Sequence, residues 1–265
     1  MSTLALPRTG SPALAVRLVA NETRKGLQLL WRRRALTITF VVMHAITFLG
    51  FRLLIGGGHI VTPLLAATLP ALLAFAVAQT AALQGSGGIA EEINGGTLGQ
   101  TQLGPASPQL QVLGRLAALT AEGLGAAVLL GVVFILGYGV HYSYRPATLI
   151  PAVLTVADGL GYALLITAFT VRVVSIGAIT HVFGMAIQFF GGVLVPVSVF
   201  PHAVETFTRF LPTTLGVQAL NATLAGRSLW TGTLGWLVLH VGVSLALGAT
   251  VYVRNIRRAR REGGL

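Results

Sequence analysis

The chain has 265 residues, of which 54% are hydrophobic and only 9% charged, and its mean hydropathy is +0.80. A soluble domain carries about 25% charged residues, so this chain has too little charge to cover a water-facing surface. Its net charge of +11 gathers at the two ends beside apolar stretches, where anionic lipid headgroups match it better than nucleic acid, and the absence of cysteine excludes disulfides, thiolate nucleophiles and zinc–cysteine or iron–sulfur sites.

Residues 1–34 hold no apolar run long enough for a signal peptide or a span. Between Ser11 and Trp31, Leu14, Leu18, Leu27, Leu30 and Trp31 fall at helical spacing among Arg17, Arg24 and Lys25. This pattern predicts an amphipathic helix on the membrane surface, ending at Arg32-Arg33-Arg34, against the alternative of a disordered basic tail. Residues 35–253 then read as one transmembrane domain. Six stretches reach the length of about 20 residues needed to cross a bilayer core: Ala35–Ile55, Val61–Leu83, Leu116–Tyr138, Leu149–Val171, Val173–Val195 and Thr233–Val253. The fourth and fifth abut at Arg172, which predicts a tight turn. Residues 254–265 form a basic tail.

With the N-terminus inside, only Arg52, Arg145, Arg209 and Arg227 among the basic residues lie outside, so the positive-inside rule places both termini in the cytoplasm. The use of arginine in place of lysine, beside abundant Ala, Gly, Leu and Val, suggests a GC-rich bacterial genome, and the expected location is a bacterial plasma (inner) membrane. The predicted fold class is an all-α polytopic membrane protein: six transmembrane helices, an N-terminal amphipathic surface helix and an extracellular re-entrant helical hairpin.

The loop from Gln84 to Pro108 sets Glu91 and Glu92 side by side on an otherwise basic face. A short helix from about Ile89, a turn at Gly95-Gly96 and a proline-punctuated re-entry are expected. Such an acidic patch suits docking to a basic partner surface better than it suits a plain connector.

Ionisable groups at membrane depth default to functional hypotheses. Glu122 in the third span and Asp158, the only aspartate, in the fourth could relay protons or cations, or could be packing acids satisfied by hydroxyl groups. His44 and His181 are placed similarly and read as packing residues, and no His or acidic pair has metal-ligand spacing. His181, Phe183, Met185, Gln188, Phe189 and Phe190 on the fifth span suit either an amphiphilic ligand or lipid-facing packing. After that span, Pro196, Pro201 and Pro212 break the chain into a hairpin able to dip into the outer leaflet without crossing it. In it, Val204, Phe207, Phe210 and Leu211 would form an apolar stripe, and Glu205 and Arg209 a pair at i,i+4.

Two blocks carry a resemblance. The first is Glu91-Glu92, Gly96-Thr97-Leu98, Pro105-Ala106-Ser107-Pro108 and Gly114-Arg115-Leu116; the second runs from Gly192 through Pro201 and Leu211-Pro212 to Gly226. In their order and topology they resemble the permease subunits of ABC-2 class ABC transporters, over nearly the whole chain. The resemblance implies a coupling helix seated in a groove of an ATPase subunit, with Glu91, Glu92, Thr97 and Leu98 as coupling residues. It also implies a pathway lined by the second and fifth spans of two protomers, taking in Gln79, His181, Phe183, Met185, Gln188 and Phe189. The expected assembly is a homodimer, or a pair with a similar permease, bound to two copies of a separate ATP-binding subunit that holds ATP and magnesium. Family members often carry arginine where this chain has Asn221.

The chain itself is expected to bind no cofactor or metal and to catalyse nothing. Lys25 sits in Thr23-Arg24-Lys25-Gly26 without the upstream glycines of a phosphate loop. Gln84-Gly85-Ser86-Gly87 lacks the first glycine of an intramembrane serine protease motif, and a single aspartate cannot form a prenyl-diphosphate site. The implied activity is ATP-driven export of an amphiphilic molecule: a drug, an antibiotic or a lipid-like product. Polysaccharide or glycolipid export is the alternative within the class, and an ion-coupled secondary carrier the alternative outside it.

Overall fold

A backbone in hydrocarbon must satisfy its own hydrogen bonds, and a helix does so within each segment. The computed structural model describes residues 12–32, 34–101, 108–142, 145–173, 177–230 and 232–261, and their regular structure is entirely helical. The helices are α1 (Pro12–Arg32), α2 (Arg34–Ile55), α3 (Thr62–Asn94), α4 (Leu98–Thr101), α5 (Pro108–Tyr138), α6 (Leu149–Thr170), α7 (Gly177–Phe190), α8 (His202–Thr208), α9 (Thr214–Leu224) and α10 (Gly232–Arg261). Pro105 and the neighbouring residues 102–107, Arg33, and residues 262–265 of the predicted tail lie outside the described residues.

Among the described residues, five helices are long and apolar enough to span: α2, α3, α5, α6 and α10. The fifth predicted span, Val173–Val195, differs. Among the described residues it is helical over Gly177–Phe190, 14 residues or about 21 Å at 1.5 Å per residue, and residues 174–176 of the predicted span lie outside them. The helix stops where Gly192 takes φ +92°, after which Val193 and Leu194 turn into the protein interior and are buried.

α3 departs in the other direction. No loop opens after Leu83 and no separate helix begins at Ile89; one helix of 33 residues continues to Asn94. Glycine disfavours a helix interior by about 1 kcal/mol, so Gly85, Gly87 and Gly88 read as loop. Packing overrides that preference at Gly85, where an added Cβ would stand 3.0 Å from the Thr167 hydroxyl and 3.4 Å from Leu116. α10 likewise runs past Val253 through the basic segment to Arg261.

Lipid offers no hydrophobic drive for helix association, so close approach at small residues takes its place. α3 is the hub, with α5 and α6 packed along it and α10 packed in turn on α6. A Cβ on Gly123 of α5 would lie 2.8 Å from Val77 Cα, and one on Gly159 of α6 would lie 2.9 Å from Ala78 Cβ. α1 crosses the start of α5, where Thr23 Oγ1 donates to Gly114 O at 3.3 Å. α2 is peripheral, with 11% of its apolar window buried against 72% for α3.

Cross-links between elements show which ends lie together. Glu92 of α3 pairs with Arg115 of α5, and Asn255 of α10 donates to Ala168 O of α6 at 2.8 Å. α1 and the last turns of α10 therefore share one end of the bundle. At the opposite end the α7–α10 connection folds inward. Its Thr213, at φ +68°, donates its backbone N–H to Asp158 Oδ2 at 2.7 Å. Asp158 lies about 14 Å along α6 from Leu149 at 1.5 Å per residue, so the segment between α8 and α9 enters the bundle, as the predicted re-entrant hairpin requires.

Candidate functional site

The turn expected to couple to an ATPase subunit is built by helix-ending chemistry. After α3 the N–H of Gly96 bonds Ile93 O at 3.0 Å and the N–H of Thr97 bonds Glu92 O at 2.9 Å, the paired bonds of a Schellman motif. That motif needs a left-handed residue, and Gly96 supplies it at φ +65°. Thr97 closes the turn, and Leu98, opening α4, is buried at 1% exposure. Gly96-Thr97-Leu98 is thus a stop, a closure and an anchor.

The two acids at this turn have different surroundings. Both lie in the last turns of α3 rather than in a separate short helix. Glu92 is half-buried and its carboxylate pairs with Arg115, tying the end of α3 to the start of α5. Glu91 is exposed on the neighbouring face.

The residues expected along the pathway divide in two. α7 buries a narrow stripe, Thr180, Gly184 and Ile187, at i, i+4 and i+7. Gln79 on α3 is buried and meets α7 at Gly184, and its Oε1 has no partner among the described residues. The rest of the α7 circumference leaves His181, Phe183, Met185 and Phe189 exposed, with Gln188 half-buried. Phe189 stands edge-on to Phe51 of α2, centroids 6.2 Å apart, and Phe190 packs near Phe200 at 5.7 Å.

Both intramembrane acids are bonded to neighbouring helices. Asp158 is fully buried; besides the Thr213 N–H it meets His240 Nδ1 at 2.8 Å and accepts from Ser244 Oγ at 3.4 Å. It thereby joins α6, α10 and the segment before α9. Glu122 accepts from the Thr37 hydroxyl of α2 and from Gln84 Nε2 of α3 at 3.0 Å. His44 bonds Phe40 O at 2.8 Å within its own helix, its ring packed near Phe40 and Phe75. Among the described residues no three His, Asp or Glu side chains converge as a metal site would need.

Of the three prolines, Pro196 precedes a short 3-10 turn, Pro201 precedes α8, and Pro212 lies between α8 and α9. Glu205 and Arg209 pair at 3.4 Å. The predicted apolar stripe is divided, because Leu211 turns into the core while Phe207 and Phe210 stay exposed. Asn221 donates from Nδ2 to Ala67 O of α3 at 2.9 Å. Below it lies a polar-rimmed cavity of about 430 Å³ that Ser198, Glu205, Gln218 and Arg227 help to line.

Arg52 escaped the sequence reading, which counted it among the outside charges. It is 1% exposed, donates to Val193 O and Leu194 O, and lies over the Phe48 ring at 5.0 Å. The sequence signal was an arginine within the last turn of an otherwise apolar span; its carbonyl partners, 141 and 142 residues away, carried none.

A helical bundle of this kind, with five helices among the described residues long and apolar enough to cross a membrane, has the build of a multi-pass membrane protein. The chain belongs to the ABC-2 type transporter family, whose profile matches residues 19–225. No curated protein matches it. As a permease of that family, it partners with an ATP-binding subunit.

Proposed function

We propose that this permease exports an amphiphilic molecule, of the kind represented by a drug, an antibiotic or a lipid-like product, across a bacterial plasma membrane. Two copies, or one copy and a similar permease, stand on two ATP-binding subunits that hold ATP and magnesium. Both termini and the coupling turn face the cytoplasm, consistent with the bias of basic residues toward that end. ATP-driven closure of the subunits pushes on Glu91, Thr97 and Leu98. The Schellman turn and the Glu92–Arg115 pair pass the push to α3 and α5 together. Tilting of the two permeases then switches a central cavity from inward-facing to outward-facing.

The exposed face of α7 carries this reading. His181, Phe183, Met185 and Phe189 form an apolar, polarizable surface with a single ionisable edge, suited to a greasy substrate of variable shape. Among the described residues α7 buries a thin stripe and rests Phe189 against Phe51 of α2, and the rest of its circumference is left for a second copy and for cargo. The bonding of Asp158 and Glu122 into helix contacts supports an ATP-driven rather than an ion-coupled cycle.

The sequence has no cysteine, so single cysteines report cleanly. With the ATP-binding subunit present, Met185→Cys and His181→Cys should cross-link between copies. Export of a fluorescent amphiphile into inverted vesicles should require ATP and fall about tenfold in Phe183→Ala/Phe189→Ala. Absence of inter-copy cross-links, together with unchanged export by the double variant, would refute the pathway.

A further inference from the structure

α5 and α6 each pack along α3 but hardly touch one another. They leave a groove of about 690 Å³ whose floor includes Leu73 and Val77 of α3, and whose walls run from Leu124 to Ile135 on α5 and from Leu149 to Val156 on α6. Leu124 to Ile135 covers about 16 Å at 1.5 Å per residue, roughly half of the ~30 Å hydrocarbon core and so the depth of one leaflet. Val77 and Gln79 lie about 200° apart on α3; the groove therefore faces away from α7 and the proposed export pathway.

Polar groups collect at one mouth, near the α5–α6 connection. The Tyr142 hydroxyl there is occupied by Ala66 O at 2.8 Å, and deeper in the groove the Thr155 hydroxyl is occupied by Pro151 O. Two others keep donors to spare. Thr148 is 8% exposed, and its hydroxyl has no hydrogen-bond partner among the described residues. Arg145 is exposed and donates to Gly226 O at 3.2 Å, while among the described residues no carboxylate lines the groove. A cation and an unsatisfied hydroxyl above an aliphatic slot one leaflet deep match a phosphate, an ester carbonyl and an acyl chain in that order.

We propose that the groove holds one acyl chain of an anionic phospholipid from the surrounding leaflet, its phosphate on Arg145 and its ester region at Thr148. The bound chain completes the contact that α5 and α6 do not make with each other. The proposed transport orientation makes this the outer leaflet; the lipid assignment takes only that label from it.

The test is native mass spectrometry of the full chain with its ATP-binding subunit, purified in mild detergent and titrated with palmitoyl-oleoyl phosphatidylglycerol or phosphatidylcholine. One phosphatidylglycerol per chain should be retained in preference to phosphatidylcholine. Arg145→Ala should weaken its retention at least tenfold and Arg145→Lys should restore part of it. Thr148→Val, which leaves the surrounding packing intact, should weaken it about threefold. Gly131→Phe should exclude the lipid: a Cβ there meets Leu73 at an ordinary 3.6 Å, so the added ring can enter the groove without opening the helix packing. Equal retention by parent and variants, or no preference between headgroups, overturns the proposal. So does loss of amphiphile export with phosphatidylglycerol retention unchanged, which would make the groove a cargo vestibule. Retention is read without ATP turnover, so its failure leaves the transport reading standing.

Discussion

At the residue scale, Asp158 shows how a buried acid can serve structure. Its two oxygens meet a backbone N–H, an imidazole and a hydroxyl. Asparagine can keep an oxygen toward Thr213 and offer its NH2 to His240, whose tautomer can switch to accept it. Asp158→Asn should therefore fold and retain ATP-dependent export at least half that of the parent. Asp158→Ala leaves the buried Thr213 N–H without an acceptor, at a cost of about 1–3 kcal/mol, and should lower the thermal midpoint. Export by Asp158→Asn that collapses while expression and melting stay normal would instead mark this acid as part of a proton or ion step.

At the element scale, Pro70 explains contacts that otherwise look unrelated. A proline in a helix removes the N–H that would bond the carbonyl four residues back, here Ala66 O. The Tyr142 hydroxyl takes that carbonyl, and Asn221 takes the adjacent Ala67 O. The break in α3 thus becomes the attachment point for the α5–α6 connection and for α9. Tyr142→Phe should cost about 0.5–1.5 kcal/mol in the parent. In a Pro70→Ala background the backbone N–H restored at that position can satisfy Ala66 O, so the same change should be nearly neutral. Melting curves of the four proteins in a double-mutant cycle check this; additive effects would show that the hydroxyl does not serve the proline.

At the scale of the whole molecule, force must pass from a soluble partner to membrane helices. Glu91 is exposed on the neighbouring face and is the acid proposed to meet the ATP-binding subunit, whereas Glu92 pairs with Arg115. Acidic residues at a docking rim set register and encounter rate more than affinity, and an exposed pair contributes only about 0–1 kcal/mol. Glu91→Lys should therefore reduce co-purification of the ATP-binding subunit several-fold at low salt, with a smaller difference at high salt. Glu92→Gln should leave subunit binding nearly intact but reduce export per ATP hydrolysed, because it loosens α3 from α5. Equal co-purification of Glu91→Lys and parent at both salts would reduce this turn to a connector.

Composition determined that the chain is a membrane protein, because 9% charge cannot clothe a water-soluble surface, and its long continuous apolar stretches determined that it is helical. Apolar length located α2, α3, α5, α6 and α10, since each needs only its own residues to satisfy its backbone. The motifs Glu91-Glu92, Gly96-Thr97-Leu98 and the proline-broken block pointed to the family because they are local in sequence. Tertiary structure decided what depends on distant partners. α3 runs through its glycines because α5 and α6 press on Gly85, and α7 ends early because Gly192 turns the chain inward. Arg52 is buried because the chain after α7 offers it carbonyls. Asp158 ties three elements together because Thr213, His240 and Ser244 converge on it from 55 to 86 residues away. A single sequence records helix-forming and membrane-crossing tendencies residue by residue, but it records no distances, and in a bilayer a buried polar group is defined by the partner that reaches it.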